Sequence, residues 1–210
     1  MALPSGYTRL EYIESTGTQY IDTGVIGSSN VRTVVDFKVD SLGSGTTFVF
    51  GSQGTDSVRY TLGMTSAGVF RSDYGTQLSS GPSVSLETRY LADKNGNVCA
   101  IGTDTIINTA STFTGTTNIY LFGRSYSSIS YSKINLYSCQ IYINDVLTRD
   151  FIPCKNADGV VGLWDDVNSL FYANAGTGTF TAGPVINLGG IFVKVNDVWK
   201  QINNVTVNVR

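Results

Sequence analysis

Histidine is absent from the 210 residues, and its absence excludes several classes of chemistry. Catalysis by a Ser–His–Asp or Cys–His arrangement needs an imidazole base, and many zinc sites use histidine ligands. The three cysteines, Cys99, Cys139 and Cys154, form no Cys-x-x-Cys pair, so a thiolate zinc site is not expected either. The glycine-rich residues 176–178 precede no helical pattern and no Gly-Lys-Ser/Thr run, which argues against a phosphate-binding loop.

Charged residues are scarce, at 14% of the chain against about 25% in typical globular domains. Surface polarity must therefore come from Ser, Thr, Asn and Gly, a composition that fits an extracellular or virion β-protein. The net charge of −2 provides no electrostatic surface for nucleic acid. No apolar run reaches about 18 residues and no basic segment precedes an apolar one, so neither membrane insertion nor a signal peptide is expected.

Apolar residues instead recur with the period of β-strands. Residues 31–39 alternate, with Val31, Thr33, Val35, Phe37 and Val39 on one face. Further short strands are predicted at 46–51, 58–62, 69–74, 86–92, 98–101 and 119–122, and loops at 52–57 and 75–83. This spacing predicts an all-β fold of two stacked antiparallel sheets, a jelly-roll sandwich of about 12 to 14 strands, for residues 1–188.

Two hairpins are predicted near the end of this domain. Residues 134–143 and 146–152 flank Asn144-Asp145, a pair that tolerates the left-handed backbone of a two-residue turn, and Pro153 is expected to end the second strand. That register places Cys139 opposite Asp150 and Cys154 opposite Asn135. The resulting offset of about 13 Å excludes a Cys139–Cys154 disulfide, so free, buried thiols are expected. A second hairpin joins residues 160–164 to 170–172.

Residues 189–210 form a separate piece after Gly189-Gly190. They alternate over 191–195, turn at Asn196-Asp197, and alternate again, with a third strand predicted at 205–209. Two or three short strands cannot bury a core unaided. This tail is therefore a short β appendage that either docks on the sandwich, begins a further module or forms a homotrimer.

Two segments of the chain resemble a known family. They are the opening, Leu3-Pro4-Ser5-Gly6-Tyr7 through Leu10-Glu11-Tyr12-Ile13-Glu14-Ser15-Thr16-Gly17-Thr18-Gln19-Tyr20-Ile21-Asp22-Thr23-Gly24, and residues 139–183. Together they are similar to the concanavalin A-like (laminin-G-like) domains of bacteriophage and prophage tail proteins from gut bacteria, over roughly residues 3–184. Trp164 stands where these domains often have Tyr. The resemblance implies a jelly-roll sandwich in a virion or extracellular protein, with glycans or bacterial surfaces and other tail proteins as partners.

Arginines within predicted strands suggest a ligand site, because the chain has few charged residues. Arg59, Arg71 and Arg124 lie on or beside three predicted strands, and arginine supplies a rigid fork of five donors. Weak sugar sites combine such polar groups with an aromatic face. The concanavalin A-like fold that the resemblance implies brings these strands near one another on one rim or concave face. The prediction is therefore a ligand surface formed by Arg71, Asp73, Tyr74, Arg124 and Tyr126. The alternative is that these are solvated strand ends with incidental ion pairs worth ~0–1 kcal/mol each.

Three functions remain open at this point. The first is non-catalytic, lectin-like glycan recognition and host adhesion, and the second is a structural module of the tail or virion. The third is polysaccharide hydrolysis, which needs two carboxyl groups about 5–9.5 Å apart, but no strand carries carboxyls two residues apart in a Glu-x-Asp-x-Glu arrangement. No cofactor is expected, although calcium is possible at two clusters that are otherwise ordinary turns. They are Asp93, Asn95 and Asn97, and Asp165, Asp166 and Asn168.

Overall fold

The computed structural model describes residues 3–186, 191–195 and 198–202. Residues 3–186 form two antiparallel sheets that pack face to face, so the predicted all-β sandwich is confirmed. The larger sheet contains β1 (Thr8–Arg9), β2 (Ile13–Glu14), β4 (Val31–Ser41), β9 (Arg89–Asn95), β10 (Val98–Ile101), β11 (Asp104–Ile107), β13 (Lys133–Ile143), β14 (Val146–Lys155), β15 (Val161–Asp165), β16 (Leu170–Ala173) and β17 (Thr181–Ala182). The six-stranded sheet contains β3 (Ile21–Ile26), β5 (Thr47–Thr55), β6 (Val58–Met64), β7 (Val69–Tyr74), β8 (Gln77–Ser83) and β12 (Asn118–Leu121).

The two sheets have different strand orders. The six-stranded sheet runs β3-β12-β5-β6-β7-β8, and the main path of the larger sheet runs β11-β10-β9-β4-β13-β14-β15-β16. The short β1 pairs with β14, while β2 pairs with both β13 and β17. These 17 sandwich strands exceed the predicted 12 to 14, because two-residue strands leave no periodic signal. None of the residues that the structure describes forms a helix long and apolar enough to cross a membrane.

Strand β4 shows how alternation builds the core. Val31, Thr33, Val35, Phe37 and Val39 are buried and the residues between them are partly exposed, which confirms the predicted face. Equivalent inner faces of β6, β7, β12 and β13 complete one apolar core between the sheets. The sandwich thus depends on one buried side chain in every two along its long strands.

Two segments predicted as loops are strands. Residues 52–57 were expected to be polar loop, yet β5 continues to Thr55, with Ser52 and Gln53 buried. Residues 75–83 also contain a strand, β8, which forms the edge of the six-stranded sheet. The glycine in β8 is needed for packing and not for a turn, because a Cβ at Gly81 would lie 2.4 Å from Ile106 Cδ1. Small polar residues in β8 therefore reflect a close approach between the sheets and not a turn.

The hairpin at Asn144-Asp145 forms as predicted, with φ angles of 50° and 63° at the two turn residues. A bulge between Ile141 and Tyr142 then shifts the register by one residue, so Cys139 lies opposite Phe151 and not Asp150.

Cys154 also lies away from its predicted partner. Strands β13 and β14 diverge, and Cys154 pairs with Arg9 and Gly162 instead of Asn135. All three cysteines are free and buried, as expected. Burial raises the pKa of Cys99 to about 11 and that of Cys154 to about 12, so both thiols stay protonated and behave as small apolar groups.

Pro153 does not end β14, which continues to Lys155 with Pro153 opposite Leu163. In an antiparallel strand the nitrogen and the carbonyl of one residue face the same neighbour. The Pro153 carbonyl accepts a hydrogen bond from Leu10 N at 2.9 Å, so its nitrogen faces the short N-terminal segment. The expected stop was wrong because this position has no need of an N–H donor.

Strand β14 is covered on both faces. Phe151 lies in the core, with its ring centroid 5.1 Å from that of Tyr172. Ile152 points to the other face, opposite Trp164, whose ring is covered by Tyr7 at 4.8 Å. The N-terminal segment therefore protects the outer side of this hairpin from water.

A buried lysine lies between the sheets. Lys94 is fully buried, and its Nζ donates to Ser72 Oγ at 2.8 Å and lies 5.0 Å from the ring centroid of Tyr60. Burial lowers the pKa of Lys94 to about 8, although Cys99 and Asp73 partly oppose the shift. The side chain is thus a charged group in an apolar core without an ion-paired carboxylate, among the residues that the structure describes.

Strands β18 (Ile191–Val195) and β19 (Val198–Ile202) pair with each other in a two-stranded antiparallel sheet. The strand predicted at 205–209 lies outside the described residues. A role for residues 189–210 as a separate module or a trimerisation element remains a prediction.

We expect Phe151→Ala to destabilise the domain by ~3–5 kcal/mol, because it removes a fully buried ring from the core. Thermal unfolding followed by circular dichroism measures the change. Val146→Ala on the same strand is the control, since Val146 is 67% exposed. A Phe151→Ala melting curve that matches the wild type contradicts the assignment of this side chain to the core.

We expect Lys94→Met to stabilise the domain by roughly 1–3 kcal/mol at pH 7, because it removes the cost of charging a buried amine. Between about pH 8 and about 10.5 the unfolded chain retains a lysine proton that the folded protein has released. Wild-type stability therefore rises relative to Lys94→Met across this window, and the advantage of the variant shrinks. Urea unfolding of both proteins at several pH values measures the difference, and a gap that does not change with pH contradicts it.

Candidate functional site

The outer face of the six-stranded sheet is the side turned away from the core. Tyr60, Leu62, Phe70 and Tyr74 belong to the core cluster. Strand alternation therefore turns the residues between them, Arg59, Thr61, Arg71 and Asp73, to this outer face.

The same alternation corrects one predicted ligand residue. Tyr74 faces the core, is 3% exposed, and packs its ring 5.1 Å from that of Phe113. It was expected at the ligand surface because it ends a strand beside polar residues, but its phase along β7 matches Phe70 and not Arg71. Tyr74 is therefore a core residue.

A sharp turn after β12 brings the next two predicted residues onto this face. Phe122 has a left-handed φ of 65°, and its ring enters the core. The chain then folds back, and Ser125 forms a parallel bridge with Ser52, with Gln53 N donating to Ser125 O at 2.9 Å. This return places Arg124 and Tyr126 over strand β5.

Arg124 is held between two aromatic rings and an amide. Its guanidinium lies 4.4 Å from the ring centroid of Phe48 and 5.1 Å from that of Tyr126. It donates to Gln53 Oε1, and Gln53 Nε2 donates to Asp56 Oδ1 at 2.9 Å. Asp56 Oδ1 also accepts a hydrogen bond from Arg59 Nη2 at 2.6 Å, which completes a network across the outer face.

Arg71 and Asp73 form a second polar unit on the same face. They are two residues apart on β7, so their side chains lie side by side, and Arg71 donates to both Asp73 carboxylate oxygens at 2.6 and 2.9 Å. Asp73 is fully buried. Burial lowers the pKa of Arg124, where the charges of Arg71 and Arg59 also lower it and Asp73 opposes them. Of the five predicted residues, Arg71, Asp73, Arg124 and Tyr126 thus share one face.

Two glycines make room for the side chains of Phe48 and Arg124 against the sheet. A Cβ at Gly63 would come within 2.7 Å of Phe48 Cδ1 and 2.4 Å of Thr47 O. A Cβ at Gly51 would meet Arg124 Cγ at 3.1 Å. Both strands therefore need glycine where the ring of Phe48 and the chain of Arg124 cross them.

A cleft of about 480 Å³ opens beside this network. It is lined by Gln53, Gly54, Thr116, Thr117, Asn118, Tyr120, Ser125, Tyr126 and Ser127. None of these residues carries a formal charge, and the set combines two tyrosine rings with two amides and several hydroxyls. Such a wall suits a polar, uncharged ring more than a purely apolar ligand.

Further tyrosines extend the aromatic surface from this cleft. The ring of Tyr120 stacks on Tyr20 with centroids 4.5 Å apart and an interplanar angle of 29°, and Tyr131 lies 6.3 Å from Tyr20. Burial raises the pKa of Tyr120, and Asp22 adds to the shift. Asn118 Nδ2 donates to Asp22 Oδ1 at 2.9 Å, which fixes the orientation of the amide at the cleft wall.

Gln53, Asn118 and Tyr120 were not predicted as site residues. Gln53 lay in a segment expected to be loop, so its strand phase could not be used. Tyr120 had a usable signal, because Ile119 and Leu121 on either side are core residues and alternation turns the residue between them outward.

The two clusters considered for calcium make turn and ion-pair contacts. Asp165 Oδ1 accepts from Asp150 N at 3.1 Å and Val167 N at 3.2 Å, and its Oδ2 accepts from Asn168 Nδ2 at 2.7 Å. Asp93 pairs with Arg32 at 2.6 Å. Among the described residues no group of three or more His, Cys, Asp or Glu side chains is placed to hold a metal ion. Whether calcium binds stays a prediction.

No protein-family model and no curated protein matches this chain. Solved structures that resemble it include Trypanosoma rangeli sialidase in three forms: a mutant with trans-sialidase activity (TM-score 0.41, 16% identity), a complex with the inhibitor DANA (0.42, 15%) and a complex with sialic acid (0.41, 17%). Each match covers 56% of this chain and 21% of the sialidase chain, so this chain spans about a fifth of their length. These structures assign no role to any residue here.

The opposite positions of Tyr74 and Tyr126 give a direct test of the site. We expect Tyr74→Ala to destabilise the domain by ~3 kcal/mol or more, because it leaves a cavity beside Phe113. Tyr126→Ala should change stability by less than about 1 kcal/mol, because Tyr126 is 38% exposed. Urea unfolding of both variants measures the change in the free energy of unfolding. Equal losses of stability would contradict the assignment of Tyr74 to the core and of Tyr126 to the surface.

Proposed function

We propose that the outer face binds a carbohydrate without converting it, as the recognition module of a phage or prophage tail protein. The observation that carries the proposal is the uncharged cleft between Gln53, Asn118, Tyr120 and Tyr126. Sugar rings present apolar C–H faces that pack on aromatic rings, and their hydroxyls need planar amides and hydroxyls as partners. The assignment to a virion and to tail-protein partners rests on the resemblance of residues 3–24 and 139–183.

The carboxylates near the cleft support binding over hydrolysis. Glycoside hydrolysis needs two carboxyl groups on either side of the scissile bond. No Asp or Glu of the described residues lines the cleft, and the nearby Asp22 and Asp56 already accept hydrogen bonds from Asn118, Gln53 and Arg59. A carbohydrate in this cleft therefore meets groups that orient it and none arranged to protonate or attack it.

Hydrolysis has one observation in its favour, elsewhere on the protein. Asp150 and Asp166 line a depression of about 250 Å³ between β13 and β14, together with Arg9. Burial raises the pKa of Asp150, with Asp166 and Asp165 adding to the shift, and glycosidases use a pair of carboxyl groups of which the general acid has a raised pKa. The depression has about half the volume of the cleft and lies below the usual range for ligand pockets. We therefore favour the cleft.

A glycan array compares the wild type with Tyr126→Ala and with Tyr142→Ala as the matched control. Tyr142 lies on the larger sheet under the guanidinium of Arg32, at 5.2 Å, so its replacement also removes a stacked tyrosine. We expect Tyr126→Ala to weaken binding by about tenfold or more, and Tyr142→Ala to bind as the wild type does. Binding should be the same with calcium and with a chelator.

The proposal is wrong if the folded wild type binds no glycan on the array, a result that favours a structural assembly module. It is also wrong if both tyrosine variants bind as well as the wild type. Release of reducing ends from array-positive polysaccharides, lost in Asp150→Asn, would instead establish hydrolysis at the depression between β13 and β14.

A further inference from the structure

Three guanidinium groups lie on the outer face, and they are not equally neutralised. Arg59 pairs with Asp56 at 2.6 Å, and Arg71 pairs with Asp73 at 2.6 Å. Among the residues that the structure describes, Arg124 has no carboxylate at ion-pairing distance, and the neutral amide of Gln53 is its hydrogen-bond acceptor. Of these three guanidiniums, Arg124 is therefore the one without an ion-paired carboxylate among the described residues. Asp22, on β3 of the same sheet, accepts a hydrogen bond from Asn118 Nδ2 at 2.9 Å instead.

The side chain of Arg124 is held in place by several contacts, although its charge has no ion-pair partner among the described residues. Its guanidinium lies between the rings of Phe48 and Tyr126, and its aliphatic chain crosses β5 where Gly51 has no side chain. A flexible surface arginine makes few such contacts and loses rotamer entropy on binding. Most of that entropy is already lost here, so a partner for this guanidinium binds a preorganised group.

Unpartnered polar atoms gather at the same spot. Arg124 Nε and Thr61 Oγ1 are both buried and find no hydrogen-bond partner within the described part of the chain, and the side chain of Thr61 is fully buried. A Cβ at Gly51 would contact Thr61 Cγ2 at 3.0 Å and Arg124 Cγ at 3.1 Å, so the two side chains flank the same glycine. Leaving buried polar groups unpaired is unfavourable, so the arrangement favours an added acceptor.

The isolated charge also lies next to the cleft. Gln53, which accepts from Arg124, and Tyr126, whose ring lies against it, both line that cleft. The lining itself is uncharged, with Arg124 against its Gln53–Tyr126 end and Asp22 against Asn118. Resting on the function proposed above, we propose that the bound carbohydrate carries an oxyanion substituent, which Arg124 binds at the Gln53–Tyr126 end of the cleft.

The shape of the guanidinium fits this chemistry. Its donors form a planar fork that matches the two oxygens of a carboxylate or of a sulfate or phosphate ester. The sugar ring then lies against Tyr126 and Tyr120 while the acidic group accepts from Arg124. This arrangement makes Arg124 a specificity-determining residue, because a neutral sugar keeps the stacking and loses only the charged contact.

The test is a glycan array on which each acidic glycan stands beside its neutral counterpart. The acidic set contains separate carboxylated, sulfated and phosphorylated arms, which distinguish the source of the oxyanion. Wild type, Arg124→Gln and Arg124→Lys are compared, with Arg89→Gln as the matched control. Arg89 also stacks on a tyrosine, Tyr137 at 3.8 Å, but on the larger sheet.

We expect the wild type to prefer the acidic member of a pair by about tenfold or more, and Arg124→Gln to lower the ratio of acidic to neutral binding to about one. Arg124→Lys should retain part of the preference, since it keeps the charge without the fork, and serves if Arg124→Gln fails to fold. The preference should also weaken as salt is raised.

Equal binding of acidic and neutral counterparts by the wild type overturns this inference and leaves the proposed function standing. An acidic preference that survives in both Arg124 variants also overturns it, because the charge then acts from another residue. Absence of any glycan binding overturns both proposals together.

Discussion

Burial of one side of each long strand in a shared core fixes the direction of every other side chain in the sandwich. In β6, β7 and β12 the inward residues are aromatic or branched, such as Tyr60, Phe70 and Ile119, and they cannot leave the core without a large loss of stability. The residues between them are thereby turned outward. Arg59, Arg71 and Tyr120 reach the outer face for this reason and not through any interaction of their own.

The fold could be predicted from the sequence because it follows from local periodicity. The alternation in residues 31–39 and the Asn144-Asp145 turn were sufficient to place β4 and the β13–β14 hairpin. Contacts between segments far apart in the chain could not be predicted in the same way. The bulge beside Tyr142, the continuation of β14 through Pro153 and the strand character of β8 each depend on a neighbouring segment that local patterns do not identify.

Only part of the candidate site could be predicted from the sequence. Arg71 and Arg124, which were singled out because charged residues are few, do share a face, and their binding of a ligand stays a prediction. Tyr74 was misplaced because proximity in sequence was used where strand phase was needed. Gln53 was missed because its segment contains only small and polar residues, which predict a loop unless the neighbouring strand is known.

The pairing of the N-terminal strands has a consequence for how the chain folds. Thr8 pairs with Lys155, and Ile13 pairs with Leu136 and Ala182, so the opening residues find their partners only after most of the domain has been made. Closing such large loops before any contact compensates the lost entropy slows folding, which places the domain among slow folders of high contact order. During synthesis Tyr7 and the short opening strands must wait without partners until β14, β15 and β16 have been made, and in this period the unpaired segment is exposed to aggregation.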